Sequence, residues 1–480
     1  MNIQIFKNWI LPFSAILALF FIAFLLRSPF YVFLIPSAFF VYFLFKNYSL
    51  DARHIWWFMW LFLPISGEWQ LTPSLGLDMP MEPLLIILTG IGIVSWLYKP
   101  ALFPNHFMQS GVGTLLVLHI GWLGLQLLFS STPLLSLKYL LAKIWYIFPF
   151  VLMLPVWLDD HSFWKKLVAF SVAAMLLGVL QTLVRHAAYG FEFDALENIF
   201  HPFYRNHVTY SAILIMVMAI LFANYWITNN KTIRKASLGI GVIFLIALYF
   251  SFSRGAWMAG LLGMASIFIF LKRWWMRVMV VAAIAVASVS IWITQDQRWH
   301  FLRPAYDQTI YHTDFDAHMQ ATFALKDVSN AERLHRWIAG VRMVADRPLV
   351  GFGPNSFYEH YKTYTNPLFR TWVSDNPEKS TVHNYYLLVA VEQGLVGWLI
   401  WMALVVTVLL RLQFFIQYEQ DKKYRVIWLT TGAVFVMILT LNLINDLIET
   451  DKVGGVFWFC VGLTVWGERR IRTFQNAGVN

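Results

Sequence analysis

Long apolar runs recur along almost the whole chain, and they constrain its fold more than any other feature. A helix crossing roughly 30 Å of hydrocarbon at 1.5 Å per residue needs about 20 mostly apolar residues. By that rule the sequence predicts about 14 spans. They fall near residues 9–26, 29–46, 54–66, 81–98, 111–130, 134–158, 164–187, 208–227, 237–252, 255–271, 277–295, 384–411, 424–447 and 452–466. The third run is short enough to be re-entrant or tilted. The first passes directly into the second with no small-residue cleavage site, so it reads as a span rather than a removed signal. The expected fold class is all-α: a polytopic transmembrane helical bundle with one large periplasmic loop containing short helices. With 59% hydrophobic and 13% charged residues, a soluble multidomain protein or a disordered chain is excluded. The one cysteine, Cys460, excludes a disulfide framework and a cysteine-ligated metal site.

Lysine and arginine in the short loops set the orientation. Lys46 and Arg53, Lys165 and Lys166, Lys231, Arg234 and Lys235 fall on one set of loops. Lys272, Arg273, Arg277, Arg411, Lys422, Lys423 and Arg425 continue it, and the tail adds Arg469, Arg470 and Arg472. The alternate loops are poor in basic residues. The formal net charge of +10 therefore reflects basic cytoplasmic loops, and no nucleic-acid partner is expected. This reading places both termini in the cytoplasm. It divides the chain into residues 1–294 with about 11 spans, a periplasmic loop over 295–382, and residues 383–480 with about three spans and a cytoplasmic tail. The low cysteine count fits a bacterial inner membrane.

Within the outer loop, Ala331–Asp346 has helical periodicity. Leu334, Trp337, Val341 and Val344 form one apolar stripe, and Glu332 and Arg336 an i,i+4 pair on another face. Such a helix lies on the membrane surface or caps the bundle. Pro348 stops it, and Gly351-Phe352-Gly353-Pro354-Asn355 reads as a tight turn rather than a nucleotide loop, since no strand precedes it.

Ionisable residues at membrane depth are costly and mark function by default. Four such segments are expected on the outer side: His201–His207 with Arg205, Asn206 and His207; Ser251–Gly255 with Arg254; Ser380–Tyr385 with His383 and Asn384, followed by Glu392; and Asn442, Asn445, Asp446 and Glu449. Arginines beside a histidine and carboxylates suit an anionic substrate and an acid–base step. Each residue also has a structural reading. Arg205 and Arg254 can snorkel, His383 can cap or pack a span, and Glu392 can pair with a buried arginine. Separately, His312, Asp314, Asp316 and His318 alternate along one stretch. They would share a face if extended, a set able to hold a divalent ion or simply a solvated loop.

Taken in order, Ser253-Arg254-Gly255-Ala256, Arg336-Trp337, Asp346–Asn355, His383-Asn384-Tyr385-Tyr386-Leu387 and Glu392-Gln393-Gly394-Leu395-Val396-Gly397 form a series. This series, over roughly residues 200–410, resembles the O-antigen ligase and O-antigen polymerase superfamily of bacterial lipid-linked glycan transferases. The resemblance implies an inverting, metal-independent membrane glycosyltransferase that needs no cofactor. Its donor would be an undecaprenyl-diphosphate-linked glycan among the membrane lipids, and its acceptor a glycan or the lipid A–core sugar. It implies His383 and Arg254 as catalytic residues. Arg205, His207, Arg336, Asn384 and Glu392 would contact substrate. No proline stands in the Arg205-Asn206-His207 segment where the family usually has one, and about 14 spans exceed the 12 usual in ligases, which leaves the subfamily open. O-antigen ligase is the expected activity. The alternatives are an O-antigen or exopolysaccharide polymerase and a protein O-oligosaccharyltransferase. A lipid-linked oligosaccharide flippase or transporter is the competing class, opposed by the lack of an internal repeat and of broken helices in matching halves.

Overall fold

A computed structural model describes residues 52–72, 75–100, 107–158, 162–294, 328–371, 373–376 and 379–477. The two expected spans before residue 50 and the His312–His318 stretch lie outside them.

The described chain is mostly helical. Eight of its helices are long and apolar enough to cross a membrane. These are α2 (Met81–Tyr98), α4 (Pro133–Trp157), α5 (Phe163–Ala187), α6 (His207–Ile227), α7 (Lys231–Tyr249), α8 (Arg254–Lys272), α11 (Tyr385–Tyr418) and α12 (Lys422–Leu441). The remaining main helices are α1 (Ala52–Phe62), α3 (Gly111–Gln126), α9 (Trp275–Thr294), α10 (Val328–Asp346) and α13 (Asp451–Ala477). At 11 residues, α1 is too short to cross. A 3₁₀ turn containing Pro64, Leu63–Ile65, ends it. The all-α expectation needs one correction. Gly67–Thr72 (β1) and Leu75–Met79 (β2) pair as an antiparallel hairpin where the sequence reads as a plain loop.

α13 is buried along most of its length, and its aromatics knit the bundle. Phe459 lies 4.6 Å from the Trp60 ring, and Phe457 lies 5.2 Å from Trp401. Within α4 the ladder opens into a π-helical turn at Phe148–Met153, where Pro149 supplies no backbone N–H.

α11 is interrupted at Gly394, whose φ of 67° and ψ of −179° are non-helical. A side chain there would run into the Leu349 carbonyl. Backbone groups freed inside an apolar helix need protein partners, and here the segment after α10 supplies them. Phe352 N donates to Val391 O at 3.1 Å, Gly353 N to Glu392 O at 2.9 Å, and Leu395 N to Pro348 O at 2.7 Å. From α3, Trp122 Nε1 donates to Gln393 O at 3.0 Å and Gln126 Nε2 to Val350 O at 2.8 Å. The turn expected at Gly351–Asn355 therefore forms, with Gly351, Gly353 and Asn355 all at positive φ, and is keyed into the broken helix. The break in α11 is filled by the chain's own loop.

The helix expected in the outer loop is present as α10 and caps the bundle against α11. Trp337 and Val344 of the expected stripe pack on the core, but the deepest positions lie beside the stripe. Ala331, Glu332, Arg336, Ala339, Gly340 and Met343 are buried, whereas Val341 in the apolar stripe is 60% exposed. Small residues let the helix backbone come close: a Cβ on Gly340 would lie 3.0 Å from Leu387. The buried charges neutralise one another, with Arg336 Nη2 3.5 Å from Glu332 Oε2. Ser374 donates to Glu332 Oε1 at 2.6 Å, and the Thr371 hydroxyl donates to the same oxygen.

Candidate active site

The polar segments singled out in the sequence meet at one end of the bundle, around the link between α12 and α13. The backbone N–H of Tyr385, opening α11, donates to Asn442 O at 3.0 Å and to Asn445 O at 3.1 Å. Gly255, in the first turn of α8, packs on Ile444, which lies 3.0 Å from where its Cβ would be. The N-termini of α8 and α11 therefore converge on residues 442–446. Arg205, just before α6, is close enough for its charge to act on Asp446. Helix N-termini carry partial positive charge, so those of α8 and α11, with Arg254 and Arg205 beside them, suit an anion.

His383 stands at this junction with φ of 53° and its side chain 31% exposed. Its Nδ1 is 4.0 Å from Asp446 Oδ1. The other Asp446 oxygen accepts from Thr381 Oγ1 at 2.6 Å, and the carbonyl of Thr381 accepts from Arg336 Nη1 at 3.4 Å. Burial, then the guanidinium charges of Arg336 and Arg333, push the His383 imidazole down to about 3. It is therefore neutral at physiological pH, with its protonated form disfavoured. Burial raises the Asp446 carboxyl, against the Thr381 hydroxyl and the charge of Arg205.

The other expected residues divide by what they touch. Arg254 is half-buried at the start of α8, and Arg205 is exposed. Both flank the junction. His207 is half-buried as the first residue of α6, its ring 6.5 Å from Phe200. Asn384 caps α11, its Oδ1 accepting from Leu387 N at 3.0 Å, as Asn206 caps α6 by accepting from Thr209 N at 3.0 Å. Arg336 is buried beside Glu332 and reaches the site through Thr381 and its field on His383. Glu392 is held by the loop: Oε2 accepts from Asn355 N at 2.9 Å and Oε1 from Phe357 N at 3.1 Å. Its carboxylate fastens the keyed turn.

Asp446, beside His383, belongs to a segment the sequence marks. Sequence reasoning does not single out Lys143. This lysine, buried in α4, holds both oxygens of Glu449 at 2.8 Å, and Tyr139 donates to Glu449 Oε1 at 2.9 Å. A lysine inside an apolar run is the signal that could have found it. Among the described residues, no group of three His, Cys, Asp or Glu side chains is placed to hold a metal ion.

The fold is that of a polytopic membrane protein in which Arg205, His383 and Asp446 gather at one end of the helices beside the start of α8. Residues 239–402, from α7 to the middle of α11, match the O-antigen ligase family, and the resemblance drawn from the motifs is thereby shown. The matched stretch contains Arg254, Arg336, His383, Asn384 and Glu392, and stops short of Asp446. It supports an O-antigen ligase- or polymerase-type membrane glycosyltransferase. No curated protein matches the chain.

Proposed function

We propose that the protein is an O-antigen ligase of a bacterial inner membrane, with about 14 spans and its site on the periplasmic face. It moves a glycan from undecaprenyl diphosphate to a hydroxyl of the lipid A–core. The observation that carries this reading is the meeting of neutral His383 with Asp446 where the arginine-bearing ends of α8 and α6 converge.

No nucleotide sugar is available outside the cytoplasm, so the donor's anomeric diphosphate carries the energy. Arg254 and Arg205 bind that diphosphate and stabilise the charge that grows on it as it leaves. The acceptor oxygen attacks the anomeric carbon as the carbon–oxygen bond to the diphosphate breaks. The hydroxyl proton passes to His383, and the lipid diphosphate departs with the bonding electron pair. Asp446 faces the imidazole and stabilises the imidazolium that forms. A single displacement inverts the anomeric centre. Arginine charge takes the part that a divalent cation plays in other diphosphate chemistry.

The lipopolysaccharide ladder of a deletion strain tests the assignment. Loss of all long chains on lipid A–core, with polymer accumulating on undecaprenyl diphosphate, is the expected result. One repeat unit left on the core would make the protein a polymerase. An unchanged ladder with unglycosylated protein would make it a protein O-oligosaccharyltransferase. Donor trapped on the cytoplasmic face would make it a flippase.

A further inference from the structure

At the far end of the bundle from His383 lies a cavity of about 870 Å³ that the transfer chemistry does not use. The 21-residue α6 runs from His207 at the site to Ile227 at the cavity, a separation of about 30 Å. Leu176, Val172, Leu221, Val434, Phe459 and Leu463 give the cavity an apolar wall. One rim is different. Lys165 at the start of α5, Asn229 and Thr228 after α6, and Lys423 at the start of α12 all line it. Ile233 on the same rim is 44% exposed, so the cavity reaches the bundle surface there. Lys231, Arg234 and Lys235 in the first turns of α7 surround this end with further positive charge.

A volume near the top of the range for small-molecule sites, roughly 300–1,000 Å³, suits acyl chains better than a compact solute. Two ammonium groups with the Asn229 amide and the Thr228 hydroxyl at its mouth suit a phosphate. By the distribution of basic residues this end faces the cytoplasm, where anionic headgroups lie. We infer that this cavity is a binding site for an anionic phospholipid of the cytoplasmic leaflet, its phosphate between Lys165 and Lys423 and its chains among α5, α6 and α12. The site is separate from the transfer site and does not depend on the identity of the glycan.

The full chain, purified and delipidated in detergent, is mixed with equal amounts of a phosphatidylglycerol and a phosphatidylethanolamine of the same acyl chains. Native mass spectrometry then reads retained lipid. The wild type retains the phosphatidylglycerol in preference. Lys165→Gln and Lys423→Gln, both at the solvent rim, each lower that preference about fivefold. Ala173→Trp, which fills the cavity, lowers retention of both lipids. Equal retention of the two lipids by the wild type would overturn the proposal. So would an undiminished preference in the Lys165→Gln/Lys423→Gln double variant, or retention of an added polyprenyl phosphate to the exclusion of phosphatidylglycerol.

Discussion

Glu392→Gln separates a residue that fastens a loop from one that touches substrate. The two carboxylate oxygens of Glu392 accept from the backbone N–H groups of Asn355 and Phe357 at 2.9 and 3.1 Å, and the side chain is 5% exposed. Glutamine keeps one acceptor and turns an NH₂ group toward the other amide. One buried donor loses its partner, at a cost of about 1–3 kcal/mol. Glu392→Ala strands both amides and should cost about 2–6 kcal/mol by the same reckoning, with a cavity cost added. Because the turn fills the break in α11, the loss should release the loop before the bundle unfolds. The assay is limited proteolysis of the purified protein, followed through cleavage within residues 347–357, beside thermal unfolding by tryptophan fluorescence. Glu392→Gln should be cleaved faster and melt lower, and Glu392→Ala more so. A variant as stable and protease-resistant as the wild type, but without transfer, would refute the clamp and return Glu392 to the substrate.

Arg254→Ala should insert and fold yet lose transfer, and Arg254→Lys should stay impaired because lysine lacks the planar fork; wild-type turnover by purified Arg254→Ala would remove it from the site. Transfer should persist in EDTA, measured in the purified donor–acceptor assay; loss on chelation with recovery on adding one divalent ion would direct attention to His312, Asp314, Asp316 and His318. The His383 imidazole, held down to about 3, keeps its basic form as pH falls, so transfer should show no inflection between pH 8 and pH 5. An inflection near 6.5 that disappears in His383→Gln would show an unperturbed imidazole instead. The same depression affects stability. Below about pH 6.5 the unfolded chain binds a proton that the folded chain does not, so His383 subtracts stability as pH falls toward 3. Gly394→Ala should destabilise the protein as strongly as Glu392→Ala, since its positive φ and the Leu349 carbonyl both exclude a side chain; an unchanged melting temperature would contradict the keyed loop.

Run length alone marks α2 at Met81–Tyr98 to the residue, because the apolar stretch has sharp polar ends. It overstates α1, where Pro64 closes the helix before the hydrophobic stretch is finished. The hairpin at Gly67–Met79 is invisible in its glycine- and proline-punctuated sequence. The face of α10 is only partly legible, for a physical reason: Trp337 and Val344 of the apolar stripe pack on the core, but the most buried positions are Glu332, Arg336 and the small residues beside them. The stripe rule assumes that burial follows hydrophobicity. Here small residues permit close docking, and Glu332 and Arg336 cancel each other's charge, so the polar face can be buried. His383 is legible as a histidine where the outer loop meets a span, and Asp446 as an acid near the end of one, but their approach to 4.0 Å is not. Lys143 is legible as an intramembrane charge, but its partner Glu449 lies 306 residues away. The role of Glu392 depends on amides 35 and 37 residues distant, which no local pattern reports.

The most direct test of the account is the specific activity of His383→Ala and His383→Gln, normalised to folded protein, in a purified donor–acceptor assay run beside a donor-binding measurement. Removal of a positioned general base typically costs 10²–10⁴-fold. Both variants should lose transfer by about that factor and still bind the undecaprenyl diphosphate donor, because arginine holds the diphosphate. Near-wild-type specific activity in either variant would contradict the account and move the proton acceptor away from His383.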